Sequence, residues 1–406
     1  MSRREFDIVI WGSTSFTGRL VSEYIYSKYG NNGINWAMGG RNLEKLKKVR
    51  EQVADEDVPI IVADSFDKSS IISMVSRTKV ICSTVGPYSL YGSILVGSCV
   101  EKNTHYCDIT GEVQWIRKMI DKYHEKGKLK NIKIVHSCGF DSIPSDMGVY
   151  FIQKELKKIK GILANKINMR VSGIRGGISG GTYASLNNVM KEAYSDNYIF
   201  KILSNPYGLN PTNEMNGPDG KELRSITYDN ESNNWTSPFI MAGINTKIVR
   251  RSNALSNYSY GKDFKYNEAT LTGKGLRGRI NAIFSIIPLA IVGAKPGSLV
   301  KKMLDYFLPK PGEGPNKKMR EDGFFNLRFY ISLRDKSKAF AKVTGDMDPG
   351  YGSTSKMLAE SALCLAFDEL PISSGILTPS VAMGDALLKR LQENAGLNFS
   401  IRISTK

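Results

Sequence analysis

The chain has 406 residues, of which 41% are hydrophobic and 23% are charged. This length allows a large core and two or three domains, so it excludes a small protein stabilised mainly by disulfides. The five cysteines form no CxxC pair and the three histidines have no ligand spacing, so we expect reduced thiols and no metal site. Because the first predicted strand begins only a few residues after Met1, we expect no signal peptide and a cytoplasmic protein.

The formal net charge of +17 is unevenly distributed. Residues 241–342 contain 20 Lys and Arg against 7 Asp and Glu, whereas residues 1–140 contain 20 against 15. A local excess of positive charge favours contact with an anionic surface, and an ordinary solvated face is the alternative. We expect no nucleic-acid partner.

Residues 6–18 begin with a short apolar run that predicts a buried strand. A turn with glycines at positions 12 and 18 follows, and an apolar helical face begins near Phe16. Free backbone N–H groups and the helix dipole make such a turn a site for a pyrophosphate. The sequence therefore predicts a dinucleotide-binding turn, and an ordinary strand–helix turn is the alternative.

A second predicted strand, residues 34–38, leads into Gly39-Gly-Arg-Asn42. An acidic residue at this distance from the turn would bind the ribose 2′-hydroxyl of NAD. Arg41 stands there instead, and a guanidinium suits a 2′-phosphate, so we expect NADP as the cofactor. Asp64, after the third predicted strand, is expected at the edge of the adenine.

Further strands alternate with helices up to residue 136, which predicts a Rossmann-type, doubly wound parallel sheet in an α/β protein. The Thr84-Val-Gly-Pro-Tyr88 turn follows the fourth strand, beside the cleft that such sheets use for ligands. The candidate cofactor residues are Gly12, Ser13, Thr14, Ser15, Phe16, Thr17, Gly18, Arg41, Asp64, Thr84, Gly86, Pro87 and Tyr88.

Three parts are expected: a cofactor domain over residues 1–140, a second, inserted α/β (α+β) domain over 141–350, and a helical segment over 351–406 that returns to the first domain. Residues 280–294 are the most apolar stretch of the chain, with Arg277, Arg279 and Lys295 beside them. Fifteen residues are fewer than the ~20 needed to span a bilayer. Together with residues 299–307, the segment 277–308 has the pattern of an interfacial helix, and a core or dimer-interface helix is the alternative.

These motifs together resemble the saccharopine dehydrogenase-like oxidoreductases, in particular the trans-acting enoyl reductases and the animal saccharopine dehydrogenase-like proteins. The matching segments extend over nearly the whole chain: Gly12–Gly18, Gly40–Asn42, Thr84–Tyr88, Tyr106–Glu112, Cys138–Asp146, Ser179–Thr182, Leu308–Pro315 and Gly350–Thr354. The family usually has glycine where Ser15 stands, and this departure bears on cofactor affinity.

The resemblance implies an NADP-dependent reductase that acts on a double bond of a lipid or polyketide chain in glycolipid synthesis. Its animal branch implies association with membranes or lipid droplets. We rank Tyr183 and Asp141 first as proton donors, because they lie in polar, glycine-rich loops, ahead of Tyr88 or a bound water.

Two other functions stay open. A saccharopine or amino-acid dehydrogenase would need arginine clamps, for which Arg170 and Arg175 are candidates. A non-enzymatic membrane- or lipid-droplet-associated protein could keep the nucleotide fold as a scaffold. The expected partners are a lipid-like small molecule and a membrane surface, and a homodimer is a further alternative.

Overall fold

The computed structural model describes residues 4–30, 33–177, 180–292, 298 and 314–403. Two seven-stranded sheets organise the chain. The first sheet consists of β1 (Phe6–Trp11), β2 (Trp36–Gly40), β3 (Ile60–Val62), β4 (Thr78–Ser83), β5 (His105–Asp108), β6 (Lys133–Val135) and β13 (Gly375–Leu377). Its strand order is β13-β6-β5-β4-β1-β2-β3 and all neighbours are parallel. This arrangement confirms the predicted doubly wound sheet.

Helices connect the strands of the first sheet because parallel neighbours need crossover connections. They are α1 (Phe16–Tyr29), α2 (Leu43–Val53), α3 (Lys68–Ser76), α4 (Tyr88–Lys102), α5 (Val113–Leu129) and α6 (Ile143–Lys160). The chain reverses its winding between β1 and β4, which are neighbours in the sheet. Ligands of such folds bind at the carboxyl ends of the strands beside this reversal. The predicted cofactor turn follows β1 directly and therefore lies at that edge.

The second sheet is mixed. Its strands are β7 (Ala164–Arg175), β8 (Thr227–Asp229), β9 (Asn234–Ser237), β10 (Lys265–Gly273), β11 (Phe324–Leu333), β12 (Lys338–Gly345) and β14 (Leu397–Ile403). The order is β14-β12-β11-β7-β10-β9-β8, with only β7 and β10 running parallel to each other. Its helices are α7 (Gly180–Ser195), α8 (Asn197–Ser204), α9 (Ala242–Leu255), α10 (Gly275–Val292) and α11 (Lys317–Glu321), and residues Thr212–Glu214 form a 3₁₀ turn.

Strand β11 shows which side of the second sheet is the core. Buried and half-buried residues alternate along it, with Phe325, Phe329 and Leu333 among the buried ones. The buried side packs against α6: a Cβ at Gly148 would lie 2.9 Å from the ring of Phe329. Helix α6 follows β6 of the first sheet, so this packing joins the two sheets. The start of α6 lies after the carboxyl end of β6, at the same edge as the candidate site.

The C-terminal segment, predicted as a helical segment that returns to the first domain, contains strands as well as helices. Helices α12 (Gly352–Phe367) and α13 (Pro379–Glu393) are present, and α12 packs on α1 and on the first sheet. The segment also supplies β13, at the edge of the first sheet, and β14, at the edge of the second. The three residues of β13 have no pattern of their own, and the strand is completed by its pairing with β6. The seven residues of β14 alternate apolar and polar side chains, a strand pattern that the prediction missed.

Candidate active site

Glycines at positions 12 and 18 shape the turn after β1. Gly12 has φ of +91°, a conformation that residues with a Cβ rarely adopt. A Cβ at Gly18 would lie 2.1 Å from the carbonyl oxygen of Gly12, so the first turn of α1 touches the turn with bare backbone. These are the positions where dinucleotide-binding turns require glycine, for a tight turn and for helix packing.

Ser15, the departure from the family pattern, is the N-cap of α1. Its hydroxyl accepts a hydrogen bond from the Gly18 N–H at 2.9 Å and shares another with the Thr84 hydroxyl at 3.0 Å. The Thr84 hydroxyl also lies 3.1 Å from the Gly12 carbonyl oxygen, to which it donates. The Ser15 side chain therefore links the turn to the loop after β4.

The remaining residues of the turn have separate roles. Ser13 is buried and its hydroxyl donates to the Ile10 carbonyl at 2.8 Å, which closes the end of β1. Thr14 is half-buried at the tip of the turn, and Thr17 is buried in the first turn of α1.

Arg41 and Asp64 lie at the carboxyl ends of adjacent strands, since Gly40 of β2 pairs with Val62 of β3. Arg41 is exposed and lies two residues after Gly39, whose carbonyl accepts the Gly12 and Ser13 N–H groups of the glycine turn. Asp64 is half-buried and its carboxylate accepts the Phe66 N–H at 2.9 Å. Both positions are those that the sequence prediction requires of residues on the adenosine side of a dinucleotide.

The loop after β4 contains a cis peptide bond between Gly86 and Pro87. The Tyr88 phenol that follows is buried; it donates to the Ser83 carbonyl at 3.1 Å and accepts the Ile109 N–H at 3.4 Å. Burial raises the pKa of Tyr88 well above its usual value. The Tyr88 phenol thus lies in the protein interior, where it keeps its proton.

Asp141 lies in the loop that precedes α6. It is half-buried, and burial raises the pKa of its carboxyl to about 7. Its Oδ2 lies 3.5 Å from the position that a Cβ on Gly111 would take, so the carboxyl borders the loop after β5. A carboxyl with a pKa near neutrality can hold or release a proton at physiological pH.

Tyr183 lies in the first turns of α7, not in a loop as predicted. The structure describes its backbone, and its side chain lies outside the described residues. Ser185, two residues further along α7, stands 3.3 Å from the position of a Cβ on Gly86. The start of α7 therefore lies over the loop after β4.

Sequence reasoning missed three buried carboxylates that shape this site. Glu112 accepts the N–H groups of Tyr88 and Ser89 at 2.7 and 2.9 Å. Asp348 accepts four backbone N–H groups, from Gly177, Gly350, Tyr351 and Gly352. Asp108 accepts one hydrogen bond from Nδ1 of His136 at 2.8 Å and another from the Tyr106 hydroxyl at 2.9 Å.

The loops that Asp348 organises reach the start of α1. The ring of Tyr351 contacts the ring of Phe16 edge-on, with centroids 5.1 Å apart, and the Arg320 guanidinium lies 5.7 Å from the Phe16 ring. A Cβ at Gly314 would lie 2.6 Å from the same ring. Phe16 is thus held by residues from the second half of the chain.

Two other expectations concern residues away from this edge. Arg170 is buried in the second sheet and is already bound, by Asp229 at 3.0 Å and by Asn267 at 2.7 Å. Arg175 is exposed at the end of β7.

Within the described part of the chain, no group of three or more His, Cys, Asp or Glu side chains could hold a metal ion.

Comparison with known proteins gives close relatives by sequence. A trans-acting enoyl reductase of Mycobacterium ulcerans is 35% identical over 423 residues, covering 99% of each chain. A trans-acting enoyl reductase of Mycobacterium tuberculosis is 34% identical over 411 residues, 96% of each chain. A second M. tuberculosis protein, whose name gives the same activity provisionally, is 38% identical over 407 residues, again 96% of each chain. No protein-family model matches the chain.

Solved structures give the fold. A saccharopine dehydrogenase (L-Glu forming) from Saccharomyces cerevisiae has a TM-score of 0.56 at 11% identity, over 98% of this chain and 100% of that one. A homospermidine synthase from Legionella pneumophila, solved with NAD, has a TM-score of 0.53 at 10% identity, over 98% and 92%. The sequence relatives and the shared architecture agree, so this chain is an oxidoreductase that belongs to the trans-acting enoyl reductase family and has a saccharopine dehydrogenase-like fold.

Proposed function

We propose that the protein is an NADPH-dependent reductase that acts on the carbon–carbon double bond of a lipid-like, α,β-unsaturated substrate. The observation that carries the proposal is the bare glycine turn with Arg41 beside it, in a chain whose full-length relatives are named enoyl reductases. The link to lipid or glycolipid synthesis belongs to the proposal and rests on the family resemblance.

The glycine turn fits the pyrophosphate of a nicotinamide dinucleotide. Gly12 and Gly18 let the turn, the loop after β4 and the start of α1 pack tightly together, and α1 directs its N-terminus at the turn. The exposed Arg41 guanidinium favours NADP over NAD, because a 2′-phosphate accepts charge-assisted hydrogen bonds from it. When bound, this cofactor supplies the hydride of a reduction.

The chain must provide the proton that completes the reduction. Asp141, with its pKa raised to about 7, is protonated in part at neutral pH and borders the loop after β5. Tyr183 is the second candidate, from the first turns of α7. Of the two, we favour Asp141, because a carboxyl whose pKa is raised to about 7 suits a general acid at neutral pH.

An amino-acid dehydrogenase is less well supported. Such a substrate carries several charges and requires free guanidinium groups. Of the two candidate clamps, Arg170 is already bound by Asp229 and Asn267, which leaves the exposed Arg175 as a single guanidinium where several are required.

We propose further that this cytoplasmic enzyme meets its substrate at a membrane surface, through peripheral contact by α10. No helix in the described ranges is long and apolar enough to cross a membrane. Helix α10 packs on β9 and β10 through small residues, and the Gly278 carbonyl accepts the Thr272 hydroxyl at 2.9 Å. The opposite face is apolar and exposed at positions three or four residues apart: Leu276, Ile280, Ile283, Phe284 and Ile287.

Charge complements this apolar face. Lys274, Arg277 and Arg279 are exposed around the start of α10. An exposed apolar stripe with cations beside it is typical of a helix that lies in the interface of an anionic bilayer. The rest of the predicted membrane segment, 293–308, lies outside the described residues except for residue 298.

The enzymatic proposal is tested with purified protein, trans-2-dodecenoyl-CoA as the probe substrate, and NADPH or NADH. We expect NADPH oxidation at 340 nm that requires the thioester, with NADH a poorer donor. Tight NADPH binding without turnover of enoyl thioesters of any chain length would instead favour the non-enzymatic alternative.

The membrane proposal is tested by flotation with phosphatidylcholine vesicles that contain or lack phosphatidylserine. We expect binding only with the anionic lipid, weakened by salt, and lost when Ile283, Phe284 and Ile287 are changed to Ser together. Leu129→Ser with Ile372→Ser is the matched control, because both side chains are exposed but lie outside α10. Equal binding by the α10 variant, with its fold checked by circular dichroism, would overturn the proposal.

A further inference from the structure

Glu112 is a buried carboxylate, 1% exposed, that caps a helix other than its own. It stands at the N-cap position of α5 but makes no side-chain cap there. Its Oε1 instead accepts the Tyr88 N–H at 2.7 Å, and its Oε2 accepts the Ser89 N–H at 2.9 Å. These are the first two N–H groups of α4, directly after the cis Gly86–Pro87 bond. Glu112 therefore fixes the loop after β4, which lines the cofactor cleft.

The same carboxylate also holds a helix of the second sheet. The Ser185 hydroxyl of α7 lies 3.3 Å from the position of a Cβ on Gly86 and acts on Glu112 to lower the pKa of its carboxyl. One turn further along α7, the Asn188 amide donates to the Ser89 hydroxyl at 2.7 Å. Because residues three apart share one face of a helix, both contacts bind the same face of α7 to the start of α4.

Both candidate proton donors are close in the chain or in space to residues of this junction. Gly111, next to Glu112 in the chain, borders the Asp141 carboxyl. Tyr183 precedes Ser185 by two residues in α7. A shift of Glu112 would therefore move the loop after β4 and α7 relative to Asp141.

An ionised carboxylate is needed for this role. Burial raises the pKa of Glu112, and the hydrogen bonds from Ser89, Tyr88 and Ser185 oppose that shift by favouring the charged form. A glutamine has one acceptor oxygen and an NH₂ group that cannot accept an N–H. Replacement by glutamine would therefore leave at least one of the α4 N–H groups without its acceptor.

We propose that Glu112 is a positioning residue that docks α7 on the loop after β4 and so completes the wall of the site where the substrate binds. This inference rests on the proposed reductase function. It predicts that Glu112 affects substrate affinity and turnover more than NADPH binding, because Thr84 and Val85, the loop residues in contact with the glycine turn, precede the Tyr88 and Ser89 N–H groups that Glu112 holds.

The test is a double-mutant cycle of Glu112→Gln and Ser185→Ala, assayed with trans-2-dodecenoyl-CoA and by fluorescence titration with NADPH. We expect Glu112→Gln to lower kcat/KM roughly 10- to 100-fold, as for loss of hydrogen bonds to a charged group, with less than about a threefold change in the Kd for NADPH. Ser185→Ala is expected to have a smaller effect alone and none in the Glu112→Gln background. Additive effects, or an equal loss of NADPH affinity, would overturn the inference.

Hydrogen exchange tests the docking role of Glu112 without relying on enzyme turnover. We expect Glu112→Gln to speed amide exchange in peptides that cover residues 84–90 and α7, and Ser185→Ala with Asn188→Ala to speed it in α7 alone. Glu101→Gln is the matched control, because this exposed glutamate lies at the other end of α4 and pairs only with Lys68 and Lys102. Unchanged exchange in a folded Glu112→Gln protein would contradict the docking role, even if the enzyme proves inactive on enoyl thioesters.

Discussion

Two parts of the candidate site, the proposed cofactor side at the glycine turn and the loops around it, are built in different ways. On the cofactor side, Gly12 and Gly18 bring backbone against backbone, and the geometry depends on the absence of side chains. In the loops around it, the carboxylates of Glu112 and Asp348 gather backbone N–H groups from several segments. The glycine turn has no room for an added atom, and the loops around it depend on the charge of the carboxylates. An added side-chain atom should therefore do most harm at the glycine turn, and a lost carboxylate should do most harm in the loops.

The largest effect is expected from Gly18→Ala. The added Cβ would lie 2.1 Å from the Gly12 carbonyl oxygen, so either the turn or α1 must move. We expect a loss of about 3 kcal/mol of unfolding free energy, the upper end for overpacking, and more than about tenfold weaker NADPH binding. Urea unfolding and fluorescence titration measure the two effects. Gly220→Ala, where nothing lies within 4 Å of the added Cβ, is the control and should behave as wild type.

Arg41→Asp tests the cofactor side by charge. Loss of charge-assisted hydrogen bonds to a 2′-phosphate should weaken NADPH binding roughly 10- to 100-fold, while NADH binding stays the same or improves. Lys45→Asp removes the same charge from an exposed position one turn into α2 and serves as the control. If Arg41→Asp keeps the wild-type preference for NADPH, another residue reads the phosphate.

These two sides also differ in how far the sequence alone predicts them. The glycine turn, Arg41 and the parallel sheet follow from local patterns, because a strand, a turn and a helix are adjacent in the chain. Glu112 caps a helix that begins 24 residues earlier, and Asp348 binds the N–H of a residue 171 positions away. No local pattern identifies such partners, although both carboxylates lie in or beside the matching segments Tyr106–Glu112 and Gly350–Thr354.

The same limit explains Tyr183 and strand β13. A cluster of glycines before Tyr183 predicts a loop, yet α7 begins at Gly180 and packs on the cofactor domain, where Asn188 donates to the Ser89 hydroxyl. Strand β13 has only three residues, and its parallel pairing with β6, more than 200 residues earlier in the chain, completes it. Strand β14 differs, because its apolar and polar residues alternate, a local pattern that already indicates a strand. Tertiary contacts thus override local preference at α7 and β13.

Glu268→Gln tests the buried carboxylates of the second sheet through pH. Burial raises the pKa of Glu268 to about 7, although Ser145, Tyr266 and Asn245 donate to it. Because the folded pKa exceeds the unfolded one, the folded state binds more protons between these values, and stability falls as pH rises from about 4.5 to about 7. We expect the wild type to lose about 2 kcal/mol more than Glu268→Gln between pH 5 and pH 7. Asp141 and Asp146, whose pKa values are also raised, supply a pH dependence that both proteins share.

Urea unfolding at each pH measures this difference. Glu101→Gln is again the control, since its exposed carboxylate pairs with Lys68 and its pKa is lowered by that bond rather than raised. Parallel stability curves for wild type and Glu268→Gln would show that the Glu268 carboxyl is already ionised at pH 5.

The smallest effect is expected at Ser15, whose side chain links the glycine turn to the loop after β4. Ser15→Ala removes the N-cap bond to the Gly18 N–H and the bond to Thr84, so we expect a loss of about 1 kcal/mol in unfolding free energy. Ser15→Gly should cost only a few tenths of a kcal/mol, because glycine is itself a good N-cap, and it restores the residue usual in the family. Since the Ser15 hydroxyl is directed at Gly18 and Thr84, neither change should weaken NADPH binding in a fluorescence titration. Weaker binding by Ser15→Gly, with the unfolding free energy nearly unchanged, would show that the hydroxyl leaves Gly18 when the nucleotide binds and becomes a ligand itself.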